Sequence, residues 1–407
     1  MTLIEFFTTS HIDNIAACLR LQPEKLIMVG EGASMKESLE RYAKLLRQRS
    51  LATKISCCDV SGKDFGALCT LLNRLIRDAG NCVIDLTGGD DCVTMALGAV
   101  FAELDPDLRR KICIERFDHK TGAVLDCIHD NQVIPSEPVN LTIEELLALH
   151  GGVLYPESYQ PPMDFSYRDL APLWSVVADA PRDWNQAMTA LGEFESRSDS
   201  KTHVYLSLSH LRNGISGFDR KEAVVRHLLD KLQRRGVIED RSSRDALEYI
   251  YIDPVQRHCT AKAGNVLEVK TLLEGRAVTE NGAPFFHDCR MGVGIDWDGI
   301  VHHPAQRVAE TRNEIDVILM HGSTPLFISC KNGNVSEDEL YKLHTVAERF
   351  GGPHVKKMLV ATDLDHKSPS SSRSFIQRAW DMDIFLVTDA AELTHEEWIK
   401  TFIQAMQ

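Results

Sequence analysis

Short apolar runs alternate with amphipathic helical patterns along the first 130 residues. Apolar runs of strand length occur at residues 3–7, 25–30, 53–60, 81–86, 111–117 and 124–128. Most of them are separated by segments with helical spacing, such as 34–49 and 64–79. Short continuous apolar strands separated by helices are typical of a mostly parallel sheet covered on both faces. The pattern predicts a Rossmann-like layer architecture, in which ligands bind outside the carboxyl ends of the strands.

Two loops of this predicted sheet follow the first and fourth strands and are rich in small residues. The candidate ligand residues in them are Thr9, Ser10, Thr87, Gly88, Gly89 and Asp90. Glycines at a strand-to-helix turn let backbone N–H groups approach a phosphate at a helix N-terminus. The alternative is a tight turn in which Asp90 or Asp91 caps the next helix, with Thr9 and Ser10 as further N-caps. The chain has neither GxGxxG nor a P-loop motif, so we expect neither a standard dinucleotide site nor P-loop nucleotide hydrolysis.

The middle of the chain, roughly residues 150–255, has the weakest patterning. Segments 151–152, 155–163 and 193–202 are rich in Gly, Pro or polar residues and are typical of connections. A helical pattern at 223–235 ends at Gly236, and a strand-like run follows at 247–252. We expect these to form a small winged-helix-like element within a connector.

The segment 313–333, NEIDVILMHGSTPLFISCKNG, has the pattern of a hairpin with a turn at 321–324. Side chains alternate faces along a strand, so Ile315 and Val317 are expected in the core. The other face is then expected to carry Glu314, Asp316, Ser329 and Lys331. The alternative is a solvated polar face on an edge hairpin, which accounts for charged residues without any chemistry.

Carboxylates, a hydroxyl and a lysine on one surface are the groups that metal-assisted cleavage of a phosphodiester requires. Carboxylate oxygens hold a hard divalent cation, and the cation lowers the pKa of its bound water. A lysine stabilises the negative charge that develops during attack. The hairpin therefore predicts a nuclease site with Mg²⁺ or Mn²⁺ as its cofactor.

Length and charge limit the organisation and the partners of the chain. Its 407 residues exceed the roughly 250–300 at which a single core stops growing, so we expect domains at 1–150 and 256–407 with a connector at 151–255. The net charge of −14 requires that nucleic acid be contacted through a local basic surface. Residues 331–380 carry eight Lys or Arg against six Asp or Glu. Tyr341 and His344 share a helix face there, as candidate substrate contacts or as part of ordinary helix packing.

Cysteine usage and hydropathy lead us to expect a cytoplasmic protein without a membrane partner. The 11 cysteines include no CxxC pair, which argues against a disulfide framework and a cysteine zinc site. No apolar run approaches the roughly 18 residues needed to cross a bilayer. The N-terminus lacks the basic region of a signal peptide.

The hairpin resembles the PD-(D/E)xK nuclease motif, in which an acid ends one strand, acid-x-Lys lies on the next and a helix follows. Asp316 matches the first acid and Lys331 matches the lysine. Glu268, in the helical stretch AGNVLEVKTLLEG, matches the acid that many of these folds supply from the first core helix. The resemblance implies that Glu268 and Asp316 hold the metal. Ser329 stands where the motif usually has Asp or Glu, so either Glu314 or Glu268 supplies the missing charge or activity is reduced.

The two ends of the chain together resemble the CARF-domain nuclease effectors of type III CRISPR defence. The similar segments are the TGG loop (87–89), LTIEELLALHGG (141–152), the hairpin, and ELYKLHTVAERFGG (339–352). The resemblance implies an α/β protein with an N-terminal Rossmann-like CARF domain and a C-terminal restriction-endonuclease-like PD-(D/E)xK domain. CARF loops often continue Thr-Lys after TGG, whereas this loop continues Asp90-Asp91. These two acids would lie beside an anionic ligand.

The same resemblance implies how such a protein is controlled. It would be a homodimer whose CARF domains bind a cyclic oligoadenylate, with the tetra-adenylate the expected ring. Binding would activate cleavage of a nucleic-acid substrate, DNA or RNA or both, with single strands expected. Two other classes remain open: a cyclic-nucleotide sensor that lost catalysis through Ser329, and an unregulated restriction-type DNA nuclease whose N-terminal domain only dimerises.

Overall fold

The computed structural model describes residues 1–119, 121–155, 164–300, 312–333, 335–362, 364 and 369–407. The strands of its N-terminal part are β1 (Thr2–Phe6), β2 (Lys25–Gly30), β3 (Lys54–Asp59), β4 (Cys82–Asp85), β5 (Ile112–Asp118), β6 (Ala123–Asp126) and β7 (Gln132–Ile134). The helices between them are α1 (Asp13–Leu21), α2 (Gly32–Gln48), α3 (Phe65–Ala79), α4 (Asp91–Glu103) and α5 (Pro106–Arg109).

These strands form one sheet in the order β3-β2-β1-β4-β5-β6-β7. The first five are parallel, and β6 and β7 extend the sheet in antiparallel fashion. Successive residues of β1 pack on opposite sides: Leu3 against α1 and α2, and Ile4 against α3 and α4. The sheet is therefore covered on both faces, which explains the continuous apolar runs. The predicted α/β architecture is confirmed.

The middle of the chain forms a helical region with its own small sheet. Its elements are α6 (Ile143–Leu149), β8 (Val153–Leu154), α7 (Tyr167–Asp179), α8 (Pro181–Glu195), β9 (His203–Ser207), α9 (Leu208–Arg212), α10 (Phe218–Arg234), β10 (Ile238–Asp240), β11 (Ala246–Tyr251) and α11 (Pro254–Cys259). Strands β9, β10 and β11 form an antiparallel sheet in the order β10-β11-β9. The helix predicted at 223–235 begins earlier, at Phe218, and the strand predicted at 247–252 is β11.

The C-terminal part is a second α/β layer. It contains α12 (Asn265–Ala277), β12 (Thr279–Glu280), β13 (Ala283–Pro284), β14 (Asp288–Asp296), β15 (Arg312–His321), β16 (Thr324–Lys331), α13 (Glu337–Gly351), β17 (Lys356–Ala361), α14 (Pro369–Asp381), β18 (Ile384–Val387) and α15 (His395–Met406). Its six-stranded sheet has the order β18-β17-β16-β15-β14-β8. The predicted hairpin, β15 and β16, lies between β14 and β17, so the alternative of an edge hairpin is wrong.

Two large hydrophobic clusters connect these parts. One joins helices α7 to α11 of the middle region to α12 and to one face of the second sheet. The other joins α1 and α2 of the first sheet to α6, α13 and the opposite face of the second sheet. The ligand-side loops and the hairpin are thus anchored to continuous packed cores. In the described part of the chain, no helix is both long and apolar enough to cross a membrane.

Candidate active site and ligand-binding edge

The charged groups of the hairpin meet at the end of its strands that lies opposite the turn. The ladder between β15 and β16 runs from His321 and Thr324 at the turn to Val317 and Ile328. One residue further, an Asp316 carboxylate oxygen accepts a hydrogen bond of 2.6 Å from the backbone N–H of Cys330. The side chain of Asp316 thereby replaces a strand–strand contact. The main chain therefore helps to fix this carboxylate.

The same oxygen of Asp316 accepts two further hydrogen bonds. The Ser329 hydroxyl and the Lys331 ammonium group each donate to it at 3.2 Å. Lys331 also lies 3.4 Å from a carboxylate oxygen of Glu339 in the first turn of α13. Burial opposes the charge of Lys331, but Asp316 and Glu339 outweigh it and raise the pKa of the lysine above its ordinary value. Lys331 is consequently an ammonium ion at neutral pH and is suited to stabilise negative charge.

Glu268 faces this group from α12, the helix that packs on β14, β15 and β16. Burial first, and then the nearby charges of Asp316 and Glu314, raise the pKa of Glu268 to about 8. Its carboxyl group is therefore mostly protonated at neutral pH when no further positive charge is present. A hard divalent cation, which takes carboxylate oxygens as ligands, would relieve this repulsion. The donor set thus fits the predicted Mg²⁺ or Mn²⁺.

Glu314 lies at the margin of the group. Its side chain is about half exposed, and one of its oxygens is 3.8 Å from the Lys262 ammonium nitrogen. The strict alternation predicted for this strand does not hold, because the neighbouring Ile315 and Val317 are both buried but belong to different hydrophobic clusters. The change of side coincides with Gly292 on β14, which lies between the pairs Met291–Val317 and Val293–Ile315 and has a φ of 58°, in the left-handed region.

The turn after Lys331 is tied to two other elements. The side-chain nitrogen of Asn332 donates to the carbonyl of Ala263 at 2.7 Å, and the carbonyl of Asn332 accepts from the side chain of Asn185 in α8. These bonds hold the end of β16 against the segment that leads into α12. They position Lys331 relative to Glu268.

Tyr341 and His344 have partners outside this group. The Tyr341 hydroxyl accepts a hydrogen bond of 2.6 Å from Arg378 of α14. The His344 ring lies 3.2 Å from the ammonium nitrogen of Lys357 on β17, which also pairs with Glu348. The structure connects both side chains to neighbouring elements of the sheet layer rather than to Asp316.

Two charged residues of the site were missed by the sequence reasoning. Glu339 anchors Lys331, and Lys262 neighbours Glu314. Glu339 had a signal: it lies in the first turn of the helix that directly follows the SCKNG strand end, where a side chain can reach back to that strand. Lys262 had none, because the approach of its segment to Glu314 depends on tertiary packing.

The two predicted ligand loops meet at the carboxyl edge of the first sheet. The loops leave β1 and β4, which are neighbouring parallel strands. In the order β3-β2-β1-β4-β5 the direction of winding reverses between β1 and β4. Such a switch point opens a crevice outside the strand ends, where ligands of doubly wound sheets bind.

Most side chains in these loops hold the loops in place. Asp90 caps α4 by accepting from the Val93 N–H at 2.9 Å, and the Ser10 hydroxyl, almost fully buried, accepts from the Asp13 N–H at 3.4 Å. Thr87 donates to Asp85 and accepts from the Phe117 N–H. Of Asp90 and Asp91, the two acids predicted as alternative caps of α4, Asp90 is the N-cap. Thr9 and Asp91 are exposed.

The two glycines are required by close packing. A Cβ on Gly88 would lie 2.3 Å from the carbonyl oxygen of Phe6, and a Cβ on Gly89 would lie 2.7 Å from the Phe6 Cβ. Gly89 also has a φ of 96°, which side chains disfavour. Contact with β1 is therefore enough to explain both glycines. Their presence alone does not indicate a ligand.

A cavity of about 220 Å³ connects this region to the second sheet. Its walls include α1, the ends of β4 and β5, and the turn 321–324 of the hairpin. Inside it, Arg20 pairs with Glu115. Burial raises the pKa of Glu115 to about 7 although Arg20 opposes the shift. The turn of the hairpin therefore lines the same cavity as the ends of β4 and β5, and the opposite end of the hairpin carries Asp316.

Two solved structures share this fold along the whole chain. The structure of protein VC1899 from Vibrio cholerae has a TM-score of 0.72 and 17% sequence identity, over 100% of this chain and 97% of that one. Can2 from Sulfobacillus thermosulfidooxidans, in complex with cyclic tetra-adenylate, has a TM-score of 0.65 and 15% identity, over 100% and 99%. No family model and no curated protein matches the sequence. At these identities the similarity shows a common fold.

Proposed function

We propose that this chain is a metal-dependent nuclease of the PD-(D/E)xK type. The observation that carries the proposal is the group around Asp316: a carboxylate fixed by the Cys330 N–H, a lysine held as an ammonium ion, and a third acid, Glu268, whose pKa is raised to about 8. Strongly perturbed titratable groups cluster at functional sites, and here the raised pKa of Glu268 occurs beside a fixed carboxylate and a lysine.

Each residue then has a distinct part in phosphodiester hydrolysis. Glu268 and Asp316 would hold the cation, which supplies charge neutralisation and Lewis acidity toward the phosphate and its attacking water. Asp316 holds Lys331 in a fixed orientation, and Lys331 stabilises the negative charge that develops on the phosphate. Glu339 is a second carboxylate that keeps the ammonium group of Lys331 in place. Ser329 donates a hydrogen bond to Asp316. The nuclease motif usually has Asp or Glu at this position, and that carboxylate would be a ligand of the metal.

We further propose that a cyclic oligoadenylate controls this site, as part of type III CRISPR defence. The support is a fold shared over its whole length with Can2, whose structure contains cyclic tetra-adenylate. The crevice between β1 and β4 is the position at which ligands of doubly wound sheets bind, and we assign the ligand to it. Because most loop side chains there hold the loops in place, the ligand would be bound largely by main-chain N–H groups and by exposed residues such as Thr9.

A homodimer follows from the same proposal and has support in α4. Between Asp91 and Glu103 this helix contains no charged residue, and Cys92, Met95 and Ala99 on its outer face are exposed. A helix without charge on its solvent face is typical of one that packs against a partner. Since α4 begins at the TGG loop, a two-fold axis along it would place both copies of the loop around one symmetric ligand.

The test is a cleavage assay with a ligand series. Purified protein is incubated with single-stranded and duplex DNA and RNA, with Mg²⁺ or Mn²⁺, and with cyclic tri-, tetra- or hexa-adenylate or no ligand. We expect cleavage that requires both the cation and one ring size, with single-stranded substrates preferred. Chelation with EDTA should abolish it.

The two alternative classes give different results in the same assay. A sensor without catalysis would bind a cyclic oligoadenylate, as measured by calorimetry, and would cleave no substrate under any condition. An unregulated nuclease would cleave equally with and without ligand. Either result would remove the corresponding half of the proposal and leave the other half standing.

A further inference from the structure

Three side chains from distant parts of the sequence meet beside the cavity. Asp13 lies in the first turn of α1, His119 directly follows β5, and His354 precedes β17 of the second sheet. Asp13 is buried, whereas the side chains of His119 and His354 are 28% and 40% exposed. The hydrogen bonds described at the nuclease site do not involve these side chains. The cluster joins the N-terminal sheet to the C-terminal sheet.

Both rings turn the same nitrogen toward one carboxylate. The Nε2 atom of His119 is 3.1 Å from one oxygen of Asp13, and the Nε2 atom of His354 is 3.5 Å from the other. The rings are stacked, with centroids 3.4 Å apart and planes inclined by 16°, so both rings must rotate about their side-chain bonds for the two Nε2 lone pairs to converge on one ion. All three ligand atoms lie within 4.8 Å of one another. They form a compact triangle with one ligand atom from each side chain.

The size of this triangle matches a four-coordinate transition-metal site. Zinc–nitrogen and zinc–oxygen distances of roughly 2.0–2.2 Å in tetrahedral geometry place neighbouring ligand atoms about 3.3–3.5 Å apart. The carboxylate–imidazole distances, 3.1 Å to one oxygen of Asp13 and 3.5 Å to the other, are close to this spacing. Hydrogen bonds from both rings outweigh the effect of burial and hold the pKa of Asp13 below its usual range. The carboxylate is therefore ionised and ready to act as a ligand.

An ordinary ion pair explains the arrangement less well. A single histidine is enough to pair with a carboxylate, as His129 does with Asp126 at 2.9 Å elsewhere in this chain. Two protonated imidazoles in a stack would repel one another. Neutral imidazoles facing one ionised carboxylate are the usual donor set of zinc and related cations.

We propose that Asp13, His119 and His354 bind a divalent cation of the zinc class, with the fourth position filled by water. His354 opens onto a larger cleft of about 1030 Å³, which gives the ion a route from solvent. Because its ligands come from both sheets, the bound ion cross-links the N-terminal layer to the layer that carries the hairpin. The site does not depend on the proposed nuclease activity.

The test measures Zn²⁺ binding in the full-length chain. A background variant, Glu268→Gln with Asp316→Asn, removes the carboxylate site so that the remaining binding is easier to assign. Competition with a chromophoric chelator should show one ion per chain bound by this protein, and Zn²⁺ should raise its unfolding midpoint. His354→Ala and His119→Ala should each weaken binding by more than the roughly 10–100-fold that loss of a mere supporting group costs.

Controls separate this site from other zinc ligands. His129→Ala removes the histidine of the matched single pair and should change neither affinity nor the midpoint shift. Substitution with Co²⁺ reports the donor atoms, and a spectrum of nitrogen and oxygen ligands without thiolate charge-transfer absorption supports the site. Equal Zn²⁺ affinity in His354→Ala, His119→Ala and the background variant would overturn the proposal. Thiolate absorption that persists in both histidine variants would also overturn the proposal, because it would show that cysteines bind the ion.

Discussion

The base of the β15–β16 hairpin and the loops at the carboxyl edge of the first sheet use polar residues in opposite ways. At the hairpin base, Asp316, Lys331 and Glu268 interact with one another, and one carboxyl group is left with a strongly raised pKa. In the loops, Ser10, Thr87 and Asp90 are hydrogen-bonded to the main chain or to a strand-end acid. Side chains therefore supply the chemistry in the first region and the architecture in the second.

This difference shows which kinds of substitution are informative in each region. At the hairpin, isosteric changes that keep hydrogen bonds but alter charge isolate the chemistry. In the loops, replacing a residue that holds the turn changes the turn itself, so only exposed positions report on a ligand.

The largest effect is expected at the hairpin. Asp316→Asn keeps an oxygen that can accept from the Cys330 N–H but removes the negative charge, and Lys331→Met keeps the length of the side chain but removes the ammonium group. Each should lower the cleavage rate by about 10²–10⁴-fold with an unfolding midpoint close to that of the wild type. Lys400→Met, an exposed lysine on α15, is the matched control and should cleave normally. Near-normal rates in both hairpin variants would place the active site elsewhere.

The sequence predicted the hairpin more fully than the loops, for a physical reason. The hairpin's charges lie on a local pattern of strand, turn and strand, so Asp316, Ser329 and Lys331 could be placed together from their spacing. The approach of Glu268 was suggested only by resemblance, and that of Lys262 and His354 depends on packing between elements distant in sequence. The TGG glycines were interpreted as a possible phosphate loop. Their contact with Phe6 on a neighbouring strand was invisible without the register of the sheet.

The close approach of Gly88 to Phe6 gives the second prediction. Gly88→Ala places a methyl group against the Phe6 carbonyl, so it should destabilise the protein by roughly 1–3 kcal/mol or more, as overpacking does, whether or not a ligand exists. Gly192→Ala is the control: it lies in α8 with no atom near its Cβ position and should stabilise slightly, by ~0.5–1 kcal/mol. Chemical denaturation measures both. If Gly88→Ala had normal stability, close packing would not explain the glycine, and ligand binding would become the better explanation.

Glu268 predicts how stability depends on pH. Its folded-state pKa of about 8 exceeds the ordinary 4.5, so between these values the folded protein binds more protons than the unfolded chain. Stability should fall as pH rises through this window, by at most ~1.4 kcal/mol per pH unit and by less for a partly exposed group. In EDTA, the melting midpoint of Glu268→Gln should fall less steeply from pH 5 to 8 than that of the wild type. Glu396→Gln, an exposed acid on α15, should follow the wild type; parallel curves for all three would contradict the assignment.

Ser329 should matter modestly. Ser329→Ala removes one of three hydrogen bonds to a single oxygen of Asp316, a loss of ~0.5–1.5 kcal/mol, so cleavage should fall by about tenfold or less. Ser329→Asp adds a carboxylate where the nuclease motif usually has one, and should lower the Mg²⁺ or Mn²⁺ concentration needed for half-maximal rate. A loss in Ser329→Ala as large as that in Asp316→Asn would instead show that the hydroxyl takes part directly in the reaction.

The smallest effect concerns the exposed acids at the ligand edge. Asp90 is the cap of α4, and asparagine caps helices as well as aspartate does, so Asp90→Asn and Asp91→Asn each remove one negative charge while the loop keeps its shape. If a cyclic oligoadenylate lies at this edge, each change should tighten its binding about two- to fivefold, the equivalent of ~0.4–1 kcal/mol for one exposed charge near a helix N-terminus. Calorimetry with cyclic tetra-adenylate at low salt measures it, with Glu396→Gln at the start of α15 as a remote control. Because screening weakens exposed charges, the gain should shrink as salt is added. Unchanged affinity in both variants at low salt would mean that the ligand does not face the start of α4, and would move its site to the cavity beside Arg20.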